Sequence, residues 1–443
     1  MKNRGLIIAA VVLAALLGIL YWSNHHKPAE STSAAATPAE AAPKILTLNE
    51  SDISKVELKK KAGDQIVLAR DSGGKWQITA PKSLGVDQAA VSGMLSTLSS
   101  LNSERLVDEK AANPGQYGLA APALEVAVSD KNNAIHKLLI GDDTPTGNGA
   151  YAKLDGDSRV FTIASYTKTE IDKSLNDLRD KRLITADADK ISRLELIVKQ
   201  QDIEFGRDKD RWQILKPKPL RTDGTKVDEL VRKLTDAKMD LSADKDASKA
   251  VTSFAAGAAV ATAKVTTDAG LQQLEVRKDK DDYYAKSSFA DGVYKVASDL
   301  GQALDKKLDD FRNKKVFDFG LDDPGKIEIH DGARIYLLTK GGEDWWSADG
   351  KKFERAGALG LLGNLRDLQA TDFAASGFAA TVMEITVTSN DGKRIERVLM
   401  SKGDKNPLAK RESEPTFYVL DSNAIENLQK LVNDLKPETT SGK

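Results

Sequence analysis

Two hydrophobic rhythms alternate along most of this chain. The first is strand-like: in Val56-Glu57-Leu58, Gln65-Ile66-Val67-Leu68 and Trp76-Gln77-Ile78, apolar residues recur at every second position. The second is helical: Val91, Met94, Leu95 and Leu98 stand at i, i+3, i+4 and i+7, which stacks them on one face of a helix. Beyond a loop, Leu124, Val126 and Val128 alternate again, and Leu138-Leu139-Ile140, Ala150-Tyr151-Ala152 and Phe161-Thr162-Ile163 predict further strands. A second helix is expected to carry Ile171, Leu175 and Leu178.

This series of elements repeats. Lys75-Trp76-Gln77-Ile78-Thr79-Ala80-Pro81 recurs as Arg211-Trp212-Gln213-Ile214-Leu215-Lys216-Pro217, and the same offset of 136 carries the first helical quartet onto Val227, Leu230, Val231 and Leu234. The second helical set maps by 133 onto Leu304, Leu308 and Phe311, and then by 124 onto Leu428, Val432 and Leu435. An aromatic strand precedes each set, around Phe161, Tyr294 and Tyr418. In the third copy the tryptophan region reads Asp344-Trp345-Trp346 and lacks the proline. A repeat of this length is domain-sized and can own a core. The pattern predicts an α+β fold of three tandem repeat units at 46–184, 185–318 and 319–437, each with several mainly antiparallel strands and two amphipathic helices, followed by a polar tail at 438–443.

Ahead of the repeats stands a different pattern. Residues 6–22, LIIAAVVLAALLGILYW, are an unbroken apolar run that as a helix reaches about 25 Å. That is close to a bilayer's hydrocarbon thickness, and Tyr21 and Trp22 fall where interfacial aromatics belong. Lys2 and Arg4 in the short segment 1–5 favour a cytoplasmic N-terminus, which sends the rest of the chain outward from a single-pass anchor. Small residues at Ser33, Ala34, Ala35 and Ala36 leave a cleaved signal peptide as the alternative. Residues 23–45, rich in Ala, Pro, Ser and Thr, read as a flexible linker, and His25 and His26 within it lack the rigid neighbours of a metal site. The chain is thus expected to be a single-pass membrane protein with most of its length on the outer side.

Composition narrows the chemistry. The chain has 65 basic and 66 acidic residues and no cysteine, which argues against a generally basic nucleic-acid footprint and excludes disulfides, thiolate metal sites and thiol nucleophiles. Ser165-Tyr166-Thr167-Lys168 matches S-x-x-K at a helix start, the arrangement in which a lysine activates a serine. The repeats supply a control: serine recurs at Ser298 and Ser422, whereas the lysine becomes Gly301 and Ile425, so the serines are expected to be helix caps. Asp155-Gly156-Asp157 and Asp279-Lys280-Asp281-Asp282 lack the calcium-loop pattern and read as solvated turns, and the glycine-rich 141–149 leads into a strand rather than a helix. Arg179 and Lys181, recurring as Arg312 and Lys314, are open to anionic polymers or lipid headgroups, with helix-end electrostatics as the structural reading. Trp76, Trp212 and Trp346 are expected to pack rather than stack on a sugar, and His136 and His330 stand alone. No catalytic, cofactor-binding or metal-binding residue is assigned, and no cofactor is expected.

The N-terminal anchor, the tether and the repeated K/R-W-Q-I-x-x-P units with their following helix resemble the bacterial family called domain of unknown function 4340. The likeness covers about residues 46–437, with Trp76 to Pro81 and Trp212 to Pro217 fitting well. Members of that family often occur beside an ABC-2-type permease, its ATPase and a gliding-motility-type auxiliary protein. The resemblance therefore implies a bacterial inner-membrane protein with most of the chain periplasmic, a non-enzymatic envelope accessory or scaffold for an ABC-type transport system, with the membrane and a permease as partners and no nucleic acid. An envelope glycan or small-ligand binding protein, or an enzyme acting on an envelope polymer, is the alternative.

Overall fold

A computed structural model describes residues 43–63, 65–242, 247–320 and 324–438. The apolar run at 6–22, most of the linker, and His25 and His26 lie outside the described residues. Among the described residues no helix is long and apolar enough to cross a membrane.

The same antiparallel sheet is built three times. In the first repeat the strands are Ile53–Lys60, Ile66–Arg70, Trp76–Ala80, Leu124–Asp130, Ile135–Asp143, Gly149–Leu154 and Val160–Ala164. Their lateral order is third, second, first, fourth, fifth, sixth, seventh. The second repeat gives that order with Arg193–Val198, Gln201–Asp208, Arg211–Lys216, Ala258–Thr267, Gly270–Asp279, Asp282–Ser287 and Tyr294–Val296. The third does so with Pro324–Asp331, Arg334–Gly341, Asp344–Trp346, Thr381–Ser389, Arg394–Ser401, Leu408–Arg411 and Phe417–Val419. The chain leaves the edge at the third strand and re-enters beside the first, so it must cross one face of the sheet. A helix makes that crossing each time: Gln88–Ser99, Gly224–Thr235 and Arg355–Asp367. Its apolar stripe is the predicted one, with Val91, Met94, Leu95 and Leu98 buried, as are Val227, Leu230, Val231 and Leu234, and Ala358, Leu361, Leu362 and Leu365 in the third copy. Asp87 and Asp223 cap the first two by accepting bonds from backbone N–H groups that have no partner inside the helix.

The α+β expectation is corrected by this architecture: the fold is mostly β, with 43% of residues in strands against 22% in helices. Two equal amphipathic helices per repeat are not formed. The second helical set is split in the first repeat between Ser165–Ile171 and the four-residue Leu175–Leu178, where Ser174 and Asp177 make a fresh capping box. In the second repeat it is split between Ser298–Leu304 and a 3-10 turn at Leu308–Asp310, and only Ala424–Asn433 in the third is one helix. The apolar spacing survives the break because the residues still face one core: Ile171 and Leu178, Leu304 and Phe311, and Leu428 and Val432 are all buried. Periodicity reports which way side chains face, and a short turn can keep the facing while interrupting the helix.

The chain divides into two compact units, Met1–Asp180 and Lys181–Lys443. Each repeat has its own hydrophobic core, so the second unit contains two. Short backbone pairings fix where the chain enters and leaves a repeat. The exit runs antiparallel to the residues just before the crossover helix, as Val86 with Arg179, Thr222 with Arg312, and Phe353 with Pro437. The lead-in pairs with the residues just after that helix: Lys44–Thr47 with Ser100–Asn102, Arg182 with Lys238, and Lys315 with Gln369. In the second unit Arg312 thus belongs to one repeat by its backbone and Lys315, three residues on, to the next.

Candidate functional site

The residues flagged in the sequence fall mainly into structural roles. Trp76, Trp212 and Trp345 are buried against their crossover helices, and Trp212 Nε1 donates to Asp228 Oδ1 at 2.8 Å. The register corrects the expectation for the third copy: Trp345 is 4% exposed and Trp346, which points the other way along the strand, is 38% exposed. Ser165 is not the cap it was expected to be. It is the first helical residue, after the capping-position Ala164, and its hydroxyl donates to the Gly147 carbonyl at 3.2 Å. Ser298 likewise follows Ala297, and Asn423 rather than Ser422 precedes the third helix. Lys168, the other half of the S-x-x-K pair, forms a salt bridge with Asp143 at 2.7 Å. At the equivalent Gly301 an added Cβ would lie 2.1 Å from the Tyr283 ring, which is why no longer side chain stands there.

The acidic turns are closed by neighbouring cations. Asp157 is gripped by Arg159 at 2.7 Å, whose hydrogen bonds hold the carboxyl below its ordinary pKa, and Asp282 pairs with Lys295 at 2.7 Å. His330 lies 2.8 Å from Glu328 and lowers that carboxyl's pKa. Among the described residues no group of three or more His, Asp or Glu is placed to hold a metal ion.

What the structure brings together instead lies at the joint of the two repeats in the second unit. Arg221, just ahead of the second repeat's crossover helix, reaches into the third repeat. It pairs with Asp318, donates to Tyr418 Oη at 3.0 Å and to the Lys315 carbonyl at 2.8 Å, and lies 3.5 Å from Glu414. Around it Arg411 pairs with Glu396 at 3.0 Å and Glu414 at 2.8 Å, and donates to the Val316 carbonyl. The Asp318 N–H donates to Glu396 Oε1 at 2.9 Å, and Tyr418 donates to Glu414 at 2.6 Å. Burial, with Glu414 adding to it, pushes the Tyr418 hydroxyl up to about 12. Burial alone would lower the pKa of Arg221, but Tyr418, Asp318 and Glu414 together raise it, so its charge is secure.

Beside this cluster a groove of about 1000 Å³ opens between Gly224–Thr235 and the segment that leads from Ala303 to Asp318. Its charges form a mosaic. Asp223 is occupied as a helix cap, Glu229 pairs with Lys226 at 3.1 Å, Asp310 accepts from the Lys307 N–H at 2.9 Å, and Asp318 is held by Arg221. Lys233 pairs with Asp299 at 2.7 Å, and Arg312 pairs with Asp309 at 2.9 Å while lying over the Phe373 ring. Arg312 was singled out by sequence as a helix-end cation; it is a joint residue, bound to one repeat by its backbone and to the next by its side chain.

Sequence reading passed over Arg221, Asp318, Glu396, Arg411 and Glu414. A signal was present in the offsets: Thr185, Gln272 and Ser287 of the second repeat correspond to Asp318, Glu396 and Arg411 of the third, three neutral positions that become charged together.

A family model described as domain of unknown function (DUF4340) matches residues 76–253 and 212–390. Both matches start on a motif tryptophan and run past the next crossover helix, so 212–390 includes every residue that lines the groove. No curated protein matches the chain.

Proposed function

The chain belongs to the DUF4340 family, and on that premise we propose that it is a non-enzymatic, membrane-anchored envelope protein serving as an accessory or scaffold for an ABC-type transport system. The observation that carries this reading is the joint in the second unit, where two repeats are fused through a shared ionic cluster with a groove open beside it. A scaffold needs fixed spacing between its modules, and a largely buried set of paired charges shared by two repeats supports it. The apolar run at 6–22 with Lys2 and Arg4 ahead of it supports an anchor with the repeats outside. The company kept by proteins of the family, as the resemblance implies, supports a permease and its ATPase as the partner class. ATP hydrolysis then belongs to the partner, since the sequence carries no Walker-type loop.

The test is a crosslinked pull-down of the full-length chain from its native membrane, read by mass spectrometry beside a variant lacking residues 46–437. Recovery of a permease and an ATPase with the intact chain alone is the expected result. Equal recovery with the truncated variant, or no specific protein with either, overturns the proposal.

A further inference from the structure

Once the groove's internal pairs are set aside, Arg232, Lys306, Lys314 and Lys315 remain on its rim. All four are exposed, and none forms a salt bridge among the described residues. Lys314 Nζ reaches only the Thr371 carbonyl at 3.3 Å, and Arg232 Nε only the Asp228 carbonyl at 3.4 Å. Of the carboxylates lining the groove, Asp223, Glu229, Asp310 and Asp318 are committed to caps and pairs, so these four cations are left without a salt-bridge partner among the described residues. The run that carries Lys314 and Lys315 recurs in the sequence. Arg312-Asn313-Lys314-Lys315 corresponds in sequence to Arg179-Asp180-Lys181-Arg182, while the third repeat has Lys436-Pro437-Glu438 at the same offset. The basic cluster thus recurs where one repeat hands on to another, inside the span matched by the family model.

We propose that this groove binds an acidic peptide segment of a partner protein. A uniform polyanion suits it less well: Asp223, Glu229, Asp236, Asp310 and Asp318 also line the groove, and like charges set against them cost affinity. A peptide can alternate acidic with neutral or basic residues and so match a mosaic. The volume, at the upper end of small-ligand pockets, accommodates an extended segment. The inference rests on the scaffold reading for its expectation of a protein partner. The pull-down tests the whole exported part and the experiment below tests a few side chains, so the two fail separately.

The full-length chain in detergent is panned against a displayed library of short random peptides, and the enriched peptides are measured by fluorescence anisotropy. Acidic peptides of mixed sequence should be enriched. Their affinity should fall about tenfold or more in Lys314→Glu/Lys315→Glu. It should hold in Lys402→Glu/Lys405→Glu, which makes the same change in net charge at exposed positions outside the groove. Arg232→Glu/Lys306→Glu, also exposed, repeats the test should the first pair fold poorly. Absence of acidic enrichment, or equal losses in the groove and control variants, overturns the proposal. So does inorganic polyphosphate that binds more tightly than the best peptide and is lost in the same groove variant, since that assigns the groove to a uniform polyanion.

Discussion

The second and third repeats fasten their lead-in segments to their own sheets at the same three positions with different chemistry. In the second repeat the Thr185 N–H donates to Gln272 Oε1 at 2.8 Å, Gln272 Nε2 donates to Thr185 Oγ1 at 3.0 Å, and the Ser287 hydroxyl donates to the Leu183 carbonyl. In the third repeat the Asp318 N–H donates to Glu396 and the Arg411 guanidinium donates to the Val316 carbonyl. The backbone groups that need partners are the same, so a neutral latch is sufficient for fastening. Ions add reach. A serine satisfies one carbonyl, whereas Arg411 also holds Glu396 and Glu414, and Arg221 from the preceding repeat joins the set through Asp318 and Tyr418. Burying charge is costly and often no more stabilising than apolar packing. What the ionic version contributes is coupling: Arg411, Glu396 and Glu414 meet within the third repeat, and Arg221 ties that set to the second.

The comparison breaks most visibly at Arg411. Arg411→Ala removes the nearest cation from buried Glu396 and half-buried Glu414, leaving them only Arg394 at 3.4 Å and Arg221 at 3.5 Å, and is expected to destabilise the second unit by about 3 kcal/mol in denaturant unfolding. Converting all three positions to their second-repeat counterparts, Asp318→Thr, Glu396→Gln and Arg411→Ser, removes both signs together and should recover part of that loss. A triple variant less stable than Arg411→Ala would show that the latches are not interchangeable.

Tyr418 sharpens the contrast through pH. Its hydroxyl, at about 12 in the fold against an ordinary value near 10, binds its proton more tightly folded than unfolded. The stability it contributes is therefore full below about pH 10 and is lost as pH rises toward 12, a difference of up to about 2–3 kcal/mol. Alkaline titration followed by tyrosinate absorbance should show a late step near 12, separate from that of Tyr117, which burial and Asp108 also raise, and missing in Tyr418→Phe. If the substitution leaves the late step in place, the assignment fails.

The smallest effect belongs to the neutral latch. Ser287→Ala removes the hydrogen bond to the Leu183 carbonyl and the acceptor of the Phe289 N–H, and should cost about 1–2 kcal/mol. That loss should depend little on salt or pH across the neutral range. A cost matching that of Arg411→Ala would remove the distinction between the two latches.

The local features were readable from residue order. The crossover helices lie where the i, i+3, i+4, i+7 quartets placed them, because a helix buries whichever face is apolar and the period names that face. Trp76 and Trp212 were legible as packing residues, since each recurs ahead of the same helix. The proportion of helix was overestimated: the split at Asp172 to Ser174 preserves the spacing of Ile171, Leu175 and Leu178 while ending one helix and starting another. Trp346 was read as the third core tryptophan, but in a strand a slip of one residue turns a side chain to the opposite face.

By itself the sequence determined that the chain is a threefold repeat, which faces of its helices are buried, and which family it joins, because each is written in local spacing or in self-similarity. Only the tertiary structure decided that the sheets follow one lateral order, that Arg221 meets Asp318 and Tyr418, and that a groove with uncommitted cations opens at the joint. Those contacts join residues separated by up to 197 positions, and nothing in the local pattern at Arg221 distinguishes it from any other solvated arginine. Hydrophobic periodicity constrains which way a side chain faces, while the identity of its partner is set by how the elements pack.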